Sequence, residues 1–254
     1  MKPSKTWLPL TVAGLGFAAC ILRFCLYLFG TDEKGLLISG HPLAIALWLL
    51  TAAVAVLVIL QIRPLKGSRR YNANFPVSNA AAIGCFVFAA GLFATAMANR
   101  YAFLLLEFLR NILCLLAVPS LAAVAICRRL GKRPYFCFHA IVCLALTVYT
   151  ITHYSGWSSR PQLMDAFFPM MGCIGLVLFA YYQTAFHVGM GSRRMQLGTG
   201  LLAAYACFAA VPFSESGLLY LTGGIWTLTN LCVLTPPAPA VRKADSIDSK
   251  EETP

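Results

Sequence analysis

Apolar runs of about 20 residues, broken by short polar turns, recur eight times along the chain, at about 6–29, 43–62, 78–97, 101–127, 135–154, 160–186, 197–213 and 218–234. At ~1.5 Å of rise per residue such a run spans the ~30 Å hydrocarbon core of a bilayer. The pattern therefore predicts an all-α fold, a polytopic transmembrane bundle of eight helices. Residues 1–240 form its single domain and the polar stretch 241–254 a disordered cytoplasmic tail. The first run continues past Cys20 to Phe29, too long for the apolar region of a cleaved signal peptide, and reads as a retained helix.

Turn chemistry refines the boundaries. Ser159-Arg160-Pro161-Gln162 has the form of a capping box, which starts the sixth helix near Arg160 and leaves Asp165 beyond its first turn. The fourth helix begins near Tyr101 or near Phe108, with Pro119 inside it. In the third, Ala80 with Gly84 and Gly91 with Thr95 are small-residue pairs that let helix backbones approach, which predicts a buried helix.

Charge fixes an expected orientation. The terminal segments and loops on one side hold fifteen Lys and Arg, including Arg63–Arg70, Arg128–Arg133 and Arg193–Arg194; the opposite loops hold three, Lys34, Arg100 and Arg160. That excess predicts both termini in the cytoplasm. Only 11% of residues are charged and 59% are hydrophobic, against roughly 25% charged in a soluble domain. The net charge of +11 sits in short clusters between apolar runs, so it encodes topology and not nucleic-acid binding. Ten cysteines lie in or at the edge of apolar runs with no CxxC pair, as small fillers of helix interfaces.

Four ionisable residues remain inside the runs: Arg23, Glu107, Arg110 and Asp165. Each costs about 2.5–3.5 kcal/mol at a bilayer centre unless paired or hydrated. By rise per residue they lie roughly 8–9 Å below the outer surface, all in the same half of the membrane. Glu107, Arg110 and Asn111 share one helix face, so Glu107 is expected to pair with Arg110 and Asp165 with Arg23, or the reverse. Pro169 leaves the Asp165 carbonyl without its helical donor. With His153, at the outer end beside Tyr154 and Trp157, these residues make the candidate ligand site: Arg23, Glu107, Arg110, Asn111, His153 and Asp165. The set reads as an ion-pair network that fixes helix packing or as an outward polar cavity. His139 and His153 read as hydrogen-bonded helix histidines; about 21 Å of rise separates them. Thr222 to Asn230 form a small polar stretch for helix contacts, or a local break at Gly223-Gly224.

No nucleophile elbow, HExxH, P-loop or metal-ligand cluster occurs, so no cofactor, metal or catalytic residue is expected and the chain leans away from enzymes. Asp32-Glu33-Lys34-Gly35-Leu36, Gly40-His41-Pro42, Trp157-Ser158-Ser159, Pro161-Gln162-Leu163, Asp165, Phe179-Ala180-Tyr181 and Gly189-x-Gly191-x-Arg193-Arg194 together are similar to a family of uncharacterised multi-spanning membrane proteins of anaerobic Gram-positive bacteria. That resemblance implies a bacterial plasma membrane and no activity. The function expected is binding or transport of a small polar or amphipathic solute through an outer-half cavity. The alternatives are a non-catalytic subunit packed on a membrane partner or a second copy, and a lipid-directed enzyme joining Glu107, Asp165 and His153.

Overall fold

The structure, a computed structural model, describes residues 7–32, 36–38, 40–63, 71–98, 105–158, 163–212, 214 and 216–234. The helices are α1 (Trp7–Phe29), α2 (Pro42–Ile62), α3 (Tyr71–Asn74), α4 (Asn79–Ala98), α5 (Leu105–Leu130), α6 (Phe136–Ser158), α7 (Leu163–His187), α8 (Arg193–Ala210) and α9 (Gly217–Cys232). Eight are the expected ones; the one-turn α3 is an addition inside a loop. Six of them, α1, α2, α4, α5, α6 and α7, are long and apolar enough to cross a membrane.

The local signals are those of the sequence, with two shifts. His41 caps α2 ahead of Pro42, its ring nitrogen accepting from the Leu43 N–H. Ser192 caps α8, which starts four residues earlier than expected because the Ser192 hydroxyl accepts from Met195 N–H at 3.4 Å; Arg193 is thus helical and not in a loop. Asp165 stands in the first turn of α7, not beyond it. The Ser159–Gln162 capping box, the start of the fourth run at 101–104 and the tail 241–254 lie outside the described residues.

Helices α4 to α9 form a ring: each packs on the next, and α9 returns to α4. Helix α8 is the hub, also touching α1 and α2, and 13 of its 18 residues are buried. By contrast α2 touches only α1 and α8 among its main neighbours and buries Leu47, Val54 and Val58 alone of 21 residues, so most of its surface suits lipid. Aromatic side chains fill the ring. Trp226 stacks on Phe88 at 4.7 Å and meets Phe179 edge-on at 5.0 Å, geometries favoured by ring quadrupoles. All ten cysteines are free thiols, with Cys85, Cys114, Cys173 and Cys207 buried as packing.

The ring closes where α4 and α9 approach. A Cβ on Gly84 would lie 1.9 Å from Thr229 Oγ1, and one on Gly91 2.0 Å from Thr222 Oγ1. Both pairs are seven residues apart along their helices, two turns, so the same contact repeats. The threonines donate to their own helix, Thr222 to the Leu218 carbonyl and Thr229 to the Ile225 carbonyl, and α9 runs unbroken through Gly223 and Gly224. The small polar stretch therefore serves packing. Gly84→Val and Gly91→Val should each lower the thermal stability of the purified protein by overpacking, about 1–3 kcal/mol. Gly14→Val, where no atom lies within 4 Å of the added Cβ, should change the melting temperature little.

Candidate functional site

The structure divides the six residues selected from the sequence into two groups. The first joins α1 to α7. Tyr27, one turn beyond Arg23, donates its hydroxyl to Asp165 Oδ1. Arg23, 1% exposed, feels the charge of Asp165, donates from Nη1 to the Ala209 carbonyl at 2.8 Å and lies with Cζ 5.2 Å from the centre of the Phe168 ring. Arg23 and Asp165 are therefore brought together as expected, but through the phenol of Tyr27 and not as a direct pair.

The second group sits on α5 and α6. Arg110, 6% exposed, donates from Nε to Asn111 Oδ1 at 3.2 Å; it does not pair with Glu107, which is half-exposed. Here the adjacent amide competes successfully, because Glu107 can keep its hydration at the helix start. His153 stacks on Tyr149 at 4.0 Å, and its Nδ1 lies 2.9 Å from the Tyr149 carbonyl, so that nitrogen carries the proton. Among the described residues no hydrogen bond joins Glu107, Asp165 and His153 to one another.

A third group was counted in the sequence only as loop charge. It lies at the opposite end of the bundle, where α5, α7 and α9 finish and α6 and α8 begin. Arg128 is 3% exposed: Nη2 donates to Asn230 Oδ1 at 3.4 Å, Cζ lies 5.0 Å from the centre of the Phe75 ring, and Nε and Nη1 have no hydrogen-bond partner among the described residues. Arg193, 9% exposed, donates to Asn74 Oδ1 and to the Leu234 carbonyl, each at 3.3 Å. Every acceptor is neutral. Tyr71 of α3 stacks on His187 at 4.3 Å, and Arg133 donates to the His187 carbonyl and, at 3.3 Å, to its Nδ1. His139 is near too, its ring 5.1 Å from that of His187. Burial pushes the Tyr71 phenol up to about 12, with the Arg128 charge pulling the other way, so it stays a neutral donor. Most buried side-chain polar atoms without a partner among the described residues are here, on Arg128, His139, Gln183, His187, Arg193 and Gln196. Such atoms cost roughly 1–3 kcal/mol each when left unmatched.

A cavity of about 180 Å³ opens beside them, lined by Tyr71, Phe75, Pro76, Val77, Cys127, Arg128, Gly131 and Lys132. The signal that could have marked this end is the placement of carboxylates. Asp32, Glu33, Glu107, Asp165 and Glu215 all fall, by chain order, at the other end of the helices, and the remaining four acids follow residue 240. The buried guanidiniums thus have no helical carboxylate within their own half.

No protein-family model, no curated protein and no solved structure matches the chain.

The Tyr27–Asp165 bond invites a double-mutant cycle. Tyr27→Phe and Asp165→Asn should each destabilise the protein by about 1.5–3 kcal/mol, as for a hydrogen bond to a charged group. The double variant should lose little more than either single one, a coupling measured from thermal or denaturant unfolding. Glu107→Gln, with no described partner, should stay within about 0.5 kcal/mol of wild type.

Proposed function

We propose that this integral membrane protein binds a small polar or amphipathic solute at its cation-rich end, with transport as the extension of that binding. The observation that carries the reading is Arg128: a buried guanidinium, two of whose nitrogens have no hydrogen-bond partner among the described residues, in a residue that lines a cavity. Leaving such a group unmatched in a low-dielectric interior is costly, so a bound solute gains what the fold leaves open. An outer-half cavity around Arg23 has weaker support, since Arg23 is already held by a carbonyl, an aromatic ring and Tyr27. The orientation proposed with it, cation-rich end and both termini cytoplasmic, is supported by the lysine and arginine excess.

Purified wild type, screened by thermal unfolding against organic anions, phosphates, sugars, amino acids and lipids, should show a saturable rise in melting temperature with at least one class. At a hundredfold excess over Kd the gain is about 2.7 kcal/mol. Absence of any shift, together with a stoichiometric membrane partner in native pull-down, would favour the non-catalytic subunit instead. A fluorescent reporter that folds only in the cytoplasm, fused after Pro254, should light up; a dark fusion made in normal amounts would reverse the orientation.

A further inference from the structure

We infer that the group bound beside Arg128 is a phosphate, borne by an anionic lipid headgroup or by a soluble phosphate ester, with Arg128 and Lys132 as its cationic ligands and Tyr71 as a neutral donor. This rests on the solute-binding reading above and names its chemistry.

Three observations converge on an oxyanion of several acceptor atoms. First, Arg128 is fixed before any ligand arrives: Asn230 holds one nitrogen and the Phe75 ring covers the guanidinium. A stacked, weakly hydrated guanidinium with spare N–H groups is the side chain best suited to phosphate, and ordering it in advance lowers the entropy lost on binding. Second, Lys132 and Tyr71 line the same cavity from different segments, one a flexible exposed ammonium and the other a phenol kept protonated. A halide offers one centre and a carboxylate two oxygens, whereas a phosphate offers three to three donors of unlike position. Third, chain order gives this half of the helical region no carboxylate, the usual partner of a buried arginine, since the five before residue 240 fall in the segments at the other end.

The end of α5 is shaped to tolerate an anion. Its last carbonyls carry the negative pole of the helix dipole and would oppose one. Gly131, at φ +70°, turns the chain so that the Lys132 N–H closes on the Cys127 carbonyl at 2.9 Å, which occupies one of those carbonyls. A Cβ on Gly131 would lie 2.8 Å from Val77 Cγ2, on the cavity wall itself. Basic pockets between helices on the cytoplasmic side are, as a class, sites for phosphate headgroups.

The test uses the full chain in neutral detergent and reads its melting temperature with inorganic phosphate against chloride at equal ionic strength, and with phosphatidylglycerol against phosphatidylcholine. Wild type should be stabilised by phosphate or phosphatidylglycerol and by neither control. A response to both points to a soluble ester, and one to phosphatidylglycerol alone points to a headgroup. Lys132→Gln, at an exposed position, should fold normally and raise the apparent Kd about tenfold, equivalent to about 1.4 kcal/mol. Arg128→Gln should abolish the response and Arg128→Lys retain part of it. An unchanged response in Lys132→Gln and Arg128→Lys would overturn the assignment. So would a fall in stability on deleting residues 241–254 in phosphate-free buffer that matches Arg128→Gln, since Asp245, Asp248, Glu251 and Glu252 would then be the anion. If a phosphate-free solute stabilises wild type through Arg128 while phosphate does not, only the phosphate is wrong; if nothing stabilises it, the solute site fails as well.

Discussion

The approach of α4 to α9 is the contact on which the rest of the bundle depends. Gly84 and Gly91 let the two backbones meet over the threonines of α9, and no larger side chain fits there. That closeness lays Trp226 flat on Phe88 and so plugs the ring. It also sets Asn230 against Arg128, because α5 follows α4 around the ring and α9 comes back to it. Where lipid surrounds the protein, apolar burial gives helices no net reason to associate, and close van der Waals packing must supply it. A cationic wall at one end is therefore a product of a glycine contact in the middle.

Most of the architecture is legible in the chain because the bilayer imposes one strong rule: backbone polar groups are satisfied within helices of fixed length. The small pairs around Gly84 and Gly91 mark the buried helix, whereas the caps at Ser192 and His41 appear only in the structure. Arg23 and Asp165 could be paired from depth and charge alone. Tyr27 could not, since a tyrosine near a helix end equally suits the membrane interface. Arg128 and Arg193 were hidden by a counting rule that treats every arginine beyond an apolar run as solvated. Whether such a residue turns inward depends on which neighbour its helix meets, and that is set by contacts between α5, α8 and α9 that no local pattern records.

The two ends handle charge by different chemistry. At one, Tyr27 donates to Asp165 across α1 and α7 and Arg23 lies within the field of that carboxylate, an arrangement that ties helices together. At the other, Arg128 and Arg193 rest on amides, carbonyls and a ring, all of them neutral. Neutral acceptors solvate a cation without cancelling its field. The first end accordingly has the character of a clasp and the second that of a receptor, although their residue types overlap.

Helix lengths give the molecule an uneven thickness. At ~1.5 Å per residue α8 and α9, with 18 and 16 residues, measure about 27 and 24 Å, while α5 and α7, with 26 and 25, reach about 39 and 38 Å. α8 and α9 are thus shorter than the ~30 Å of hydrocarbon, and α5 and α7 longer. Helices that pack side by side, α7 against α8, therefore ask two different spans of one bilayer.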